Sequence, residues 1–181
     1  MRLVNSSVRV LRSRRIGGQP IGPQAGAYPP LALWEKIAYV ALVKVHQQVL
    51  EVRTSGRSFT NISREVQQVV AQSGVSTGLC TAFVQHTSAS LVIQENADPA
   101  VLRDLARWMS DLAPESRHWE HDSEGPDDMP AHARSALTRS SEGIPVARGR
   151  LVLGTWQGLY LWEHRATGHR RRVVVHVSGV S

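Results

Sequence analysis

From Ile37 to Val52 apolar residues, many of them β-branched, follow one another without the gap that a helix's polar face would leave, and the run predicts one or two strands. Gly56 marks a turn. Past it, Ile62, Val66, Val69 and Val70 fall at i, i+4, i+7 and i+8, the stripe of a helix lying one-sided on a sheet, with Asn61 placed to cap it and Gly74 to end it. Strands are predicted again at about 78–85 and about 90–94. Asp98-Pro99 supplies a cap and a first-turn proline for a second helix, whose expected buried stripe is Val101, Leu102, Leu105, Trp108, Met109 and Leu112. Beyond Pro114 the chain turns polar and acidic as far as Asp128, which is placed to cap a short helix over Pro130–Leu137. Strand patterns return at Ile144–Ala147, Arg150–Thr155, Gln157–Glu163 and Arg172–Val177, divided by Gly149 and the Thr167-Gly168 turn. Many strands, no regular βαβ alternation and no internal repeat predict an α+β fold: a largely antiparallel β-sandwich with two or three short flanking helices.

Residues 1–34 stand apart from this pattern. They carry Gly17-Gly18, Pro20, Gly22-Pro23 and Pro29-Pro30 without a sustained apolar period, and read as a flexible basic N-terminal extension to a domain over 35–181. The extension holds five arginines (Arg2, Arg9, Arg12, Arg14, Arg15) and no acid, which resembles an organelle transit segment, although its serines are few; a nonfunctional extension, or an upstream start codon, is the plainer expectation. Of the formal net charge of +6, this segment accounts for +5. The near-neutral remainder counts against a broad phosphate-tracking face, so nucleic acid is not an expected partner. No run approaches the roughly 18 apolar residues of a membrane span, and the leader has no secretory apolar region. The lone Cys80 lies in an apolar run and cannot pair within the chain, so a reducing, cytoplasmic setting is expected.

Three polar clusters could carry chemistry. Between His118 and His132 lie three histidines (His118, His121, His132) and five acids (Glu120, Asp122, Glu124, Asp127, Asp128), against about two such residues expected for fifteen positions at the chain-wide frequency. Imidazole nitrogens bind borderline cations such as zinc, and nearby carboxylates orient the rings, complete the shell or move protons. The alternative is a solvated acidic loop. The second cluster, Gln85-His86-Thr87-Ser88-Ala89-Ser90, is joined by the short strand Leu91-Val92-Ile93 to Gln94-Glu95-Asn96-Ala97-Asp98. Both ends of the strand are expected to offer hydrogen-bonding groups to one cleft, suited to a polar or phosphorylated ligand; ordinary turn chemistry and helix capping are the alternative. The third, Gly154-Thr155-Trp156-Gln157-Gly158, offers close backbone approach and a flat indole face, or else a hairpin corner with Trp156 and Trp162 in the core, which is the expectation favoured here.

Taken together, Gln85-His86-Thr87-Ser88-Ala89-Ser90-Leu91, Glu95-Asn96-Ala97-Asp98-Pro99, Glu120-His121-Asp122 with Glu124-Gly125-Pro126-Asp127-Asp128-Met129-Pro130-Ala131-His132, and Leu153-Gly154-Thr155-Trp156-Gln157-Gly158 with Glu163-His164-Arg165 resemble the YjbQ family (UPF0047), in order and across about 37–181. The resemblance implies a compact β-rich fold, a homotrimer, a divalent-metal site, with zinc the expected ion, and a secondary thiamine-phosphate synthase activity. Carried over residue by residue, it implies His86, His121 and His132 as metal ligands and Glu124, Asp127 and Asp128 as supporting groups or general base. Thr87, Ser88, Glu95, Asn96, Thr155 and Gln157 are then expected to line the substrate cleft. His118 stands outside the matched pattern. An open metal position equally suits a hydrolase of phosphorylated small molecules, and a closed one a non-enzymatic anion-binding trimer.

Overall fold

The structure, a computed structural model, describes residues 43–181. The expected basic extension, and the beginning of the strand run at Ile37, lie outside the described residues. Eight strands and three helices follow in the order β1 (Lys44–Arg53), β2 (Phe59–Asn61), α1 (Ser63–Ser73), β3 (Thr77–Val84), β4 (Ala89–Glu95), α2 (Pro99–Leu112), α3 (Asp128–Leu137), β5 (Ser141–Ala147), β6 (Arg150–Leu151), β7 (Gln157–Glu163) and β8 (Arg170–Val180). Five strands form one sheet in the order β1-β8-β3-β5-β6 and three form a second in the order β2-β7-β4, with every pairing antiparallel. The α+β architecture is the one the hydrophobic pattern predicts.

Alternation sets which residues meet between the layers. Cys80, Ala82 and Val84 of β3 and Val173, Val175 and Val177 of β8 face inward on the larger sheet, and Leu91, Leu159 and Leu161 answer them from the smaller one. Helix α1 closes the gap with Val66, Val69 and Val70, and ends at Gly74 in the left-handed conformation. Its start differs by one residue from the expectation. Ile62, not Asn61, is the cap, because the Ile62 amide still donates to Leu159 O at 2.9 Å as a continuation of β2, while Asn61 Oδ1 accepts from Ser63 N at 3.0 Å.

Helix α2 opens as predicted, with Asp98 Oδ1 accepting from Ala100 N at 2.8 Å and Pro99 in the first turn. Its predicted stripe is buried only at Met109. The helix packs beside β4 along one side, so Trp108 and Leu112, one turn apart on the flank, remain 57% and 48% exposed. The strand expected over Arg150–Thr155 is confined to Arg150–Leu151, because a turn takes over where Gly154 N donates to Gln157 Oε1 at 2.8 Å. At its tip Trp156 is 65% exposed, contrary to the core placement favoured above, whereas Trp162 is buried and stacks on Phe59 with ring centroids 4.4 Å apart.

Two turns are pressed together at the end of the sandwich where β7 meets β8. Gly56 takes a φ of 82°, and a Cβ there would stand 2.3 Å from Ala166 O; one at Gly168 would stand 2.2 Å from Thr54 O. Only glycine permits this approach. It fixes the β7–β8 connection, which carries Arg165.

Candidate metal centre

The i, i+4 spacing of Asp128 and His132 puts both side chains on one face of the first turns of α3. His121 reaches the same point from the α2–α3 connection, where Gly125 at φ 105° bends the chain and accepts the Asp128 amide at 3.2 Å. One ligand atom from each of His121, Asp128 and His132 lies within 4.8 Å of the others. Asp128 Oδ2 stands 2.8 Å from His121 Nε2 and 3.3 Å from His132 Nε2.

The surroundings orient this group. His132 Nδ1 lies 3.1 Å from the Thr87 carbonyl, an acceptor only, so Nδ1 carries a proton there and Nε2, turned toward Asp128 and His121, is the nitrogen left for a metal. Arg165 Nη1 binds the other Asp128 oxygen, its Nε donates to Asp127 Oδ2 at 2.9 Å, and its Nη2 donates to Glu124 O at 2.9 Å. Burial alone would raise the Asp127 carboxyl, but the Ala166 amide and Arg165 outweigh it and hold Asp127 below the usual carboxylate range. Both acids are therefore drawn to Arg165. For that reason Asp128 is the first residue of α3 and not its cap, and Asp127, at the cap position, makes no side-chain cap bond.

Two imidazole nitrogens and a carboxylate oxygen are a donor set that suits zinc, and the fixed tautomer of His132 and the clamped carboxylate of Asp128 are the supports such a set needs. His121 also borders a cleft of about 180 Å³ lined by His118 and Trp119, whose indole Nε1 is buried without an acceptor. On the Thr87 side lies a groove of about 510 Å³ that includes His86, Thr87 and Ser88.

The expected site residues divide accordingly. His121 and His132 come together, with Asp128 among the candidate ligand atoms and Asp127 one step behind it. His86 is not in the group: its Nε2 accepts the Arg172 amide at 3.0 Å, and burial, then Arg171, lower its pKa. Glu124 contributes its carbonyl, with its side chain exposed. Thr87 acts through its carbonyl, and Ser88 Oγ accepts from Arg171 Nη2 at 3.1 Å. Glu95, Asn96, Thr155 and Gln157 gather at the far end of the β4–β7 pair, where Asn96 Nδ2 donates to Gln157 O at 3.2 Å and Thr155 lies in the intervening turn. Six residue steps along β4, roughly 20 Å, separate that end from the histidines, so one chain does not bring the two groups into a single cleft. The sequence reading missed Arg165 as the carboxylate clamp. The Asp128–His132 helical spacing was the available sign that this acid joins the ligand set.

Residues 48–180 match the family described as UPF0047 protein YjbQ-like. The chain belongs to the YjbQ family. UPF0047 protein sll1880 of Synechocystis is 58% identical over 144 residues, covering 79% of this chain and 98% of that protein. UPF0047 protein YjbQ of Escherichia coli is 39% identical over 135 residues, covering 74% and 98%. Among solved YjbQ-like structures, a protein of unknown function from Sulfolobus solfataricus superposes with a TM-score of 0.71 at 28% identity, over 76% of this chain and 99% of that one. A family member from Clostridium acetobutylicum gives 0.67 at 36%, over 72% and 98%. Among the described residues of this YjbQ-family chain, no helix is long and apolar enough to cross a membrane.

Proposed function

We propose that the His121–Asp128–His132 group holds a divalent cation, zinc by its donor set, and that the protein is a metal-dependent enzyme acting on phosphorylated small molecules. The observation that carries this reading is the convergence of three ligand atoms with the His132 tautomer already fixed by Thr87. Three protein donors would leave a four-coordinate ion one open position, which favours catalysis over a closed structural site. The reaction assigned first is the thiamine-phosphate synthase type that the family resemblance implies. In it the bond between the pyrimidine methylene and the diphosphate oxygen breaks, its electron pair leaves with pyrophosphate, and the thiazole nitrogen forms the new bond to the methylene. A bound divalent cation supplies stabilisation for negative charge growing on the leaving group. Asp128 and the two histidines would hold that ion, Arg165 keeps Asp128 aimed, and Thr87 keeps His132 in its binding tautomer. The same open position favours a second reading, hydrolysis of a phosphate ester by water.

The homotrimer belongs to the same proposal. The separation between the histidines and the Glu95–Asn96–Gln157 end supports a cleft completed between copies, and mass in solution is its test. The single cysteine of the chain, Cys80, has no second cysteine to pair with, which supports a reducing, cytoplasmic setting, and burial pushes its thiol up to about 11.

Metal content per chain, measured by mass spectrometry on untagged wild type beside the His121→Ala/His132→Ala double variant, tests the core of the proposal. About one ion per chain in the wild type and almost none in the variant is the expected result. Equal metal in both would overturn the assignment. Formation of thiamine phosphate and release of phosphate from esters, assayed on the loaded wild type, then separate the transferase from the hydrolase.

A further inference from the structure

Arg134, two residues beyond His132 in α3, is a buried cation without a counter-charge. It is 4% exposed; its Nη2 donates to Ala113 O at 2.8 Å, its Nη1 to His164 O at 3.5 Å, and its Nε finds no acceptor. Among the described residues no carboxylate forms an ion pair with it. Burying an unpaired charge is costly, so natural structures pair it or place it where a ligand will.

Arg134 lines a cavity of about 260 Å³ together with Arg57, Arg107, Met109, Trp162 and His164. Little negative charge is free there. Arg57 is paired with Glu115, Arg107 reaches the exposed Asp104 at 3.5 Å, and Glu163, which also faces the cavity, is bound by Arg171. His164 is neutral: burial, then Arg134, push its pKa down to about 3. The volume lies below the roughly 300–1,000 Å³ that hold drug-sized ligands, so the occupant is small. Met109 and Trp162 are buried and give it apolar walls.

We infer that this cavity is a second binding site, taking the phosphoryl end of a small molecule on Arg134, Arg57 and Arg107 and its flat or apolar body against Met109 and Trp162. The choice of a phosphoryl group over another anion rests on the substrate class proposed above. The guanidinium fork suits it, since planar donors bind phosphate oxygens in pairs.

Titration calorimetry on the full chain, with a chelator present to keep the His121–Asp128–His132 group free of metal, tests this with phenyl phosphate, inorganic phosphate and benzoate as probes. Phenyl phosphate is expected to bind at least about fivefold tighter than either of the others, since only it offers both phosphoryl group and ring. Arg134→Met should weaken it by more than about tenfold. Arg107→Ala, at the exposed rim and harmless to folding, should weaken it by about threefold. The His121→Ala/His132→Ala variant should bind like the wild type. Failure of the metal reading would therefore leave this result standing. No binding of phenyl phosphate, both arginine variants within about twofold of wild type, benzoate binding as well as phenyl phosphate, or loss of binding in the histidine variant would each overturn the site.

Discussion

Two clusters of carboxylate, arginine and histidine stand at the same end of β7, and they differ in how completely the carboxylate's partners are sealed from solvent. Glu163 is fully buried, and each oxygen has two partners: Oε2 accepts from Thr54 Oγ1 and from Arg171 Nε, both at 2.7 Å, and Oε1 accepts from the Arg165 amide at 3.0 Å and from Arg171 Nη2. Burial alone would raise its pKa, but Arg171, Thr54 and the Arg165 amide together hold it below the usual range. Asp128 is nearly as buried, with one oxygen clamped by Arg165, but its other oxygen is hydrogen-bonded at 2.8 Å to His121 Nε2 and lies 3.3 Å from His132 Nε2, and both of these imidazoles are open to solvent. A network sealed from solvent fixes structure, whereas one whose partners are solvent-exposed imidazoles has room to exchange a hydrogen bond for a ligand.

The largest effect should come from breaking the sealed cluster. Glu163→Ala strands the Arg171 charge in the interior and is expected to cost about 3–5 kcal/mol in urea unfolding. A loss below about 1 kcal/mol would put the two clusters on the same footing. In the open cluster, Arg165→Met should leave the chain folded and weaken metal affinity about 10–100-fold, read by competition with a chelator, because it frees the carboxylate that Arg165 orients. Unchanged affinity would mean that Asp128 needs no support.

The pH dependence separates the regions further. His164 has a folded pKa of about 3 against an ordinary 6.5, so the unfolded chain takes up a proton between those values and the folded chain does not. Stability therefore falls as pH drops, by about 1 kcal/mol from pH 6.5 to 5.5, and His86, also lowered, adds in the same direction. His164→Gln should flatten that slope in unfolding curves; an unaltered slope would place its origin elsewhere. The smallest effect belongs to Glu124→Gln. Only the carbonyl of Glu124 is used, so metal content should stay constant and stability should move by less than about 0.5 kcal/mol. A marked loss of activity with metal retained would instead give its carboxylate a chemical role.

Much of the fold was legible because strands and helices announce themselves by local period. The stripe of α1 at Val66, Val69 and Val70, the Asp98-Pro99 start of α2 and the continuous apolar run Leu159–Trp162 of β7 need no distant information. The limits of that reading appear at α2, where the apolar stripe is wider than the surface it meets, and Trp108 shows the excess. They appear again at Trp156: composition favours an aromatic in the core, but the Gly154–Gln157 turn carries it outward.

The candidate site followed the same division. The density of histidines and acids before His132, and the i, i+4 step from Asp128, are local facts that the sequence alone determined, as were the antiparallel character of the fold and the inert setting of Cys80. Which of those residues meet was decided only by tertiary structure. Arg165 and Thr87 lie far from Asp128 and His132 along the chain, and it is the pressed turns at Gly56 and Gly168 and the β4–β7 register that bring them alongside. The same register carries Glu95 and Gln157 to the opposite end of the sheet. A ligand set is a matter of a few ångströms between atoms on different elements, and spacing along a chain constrains such distances only within a single helix or strand.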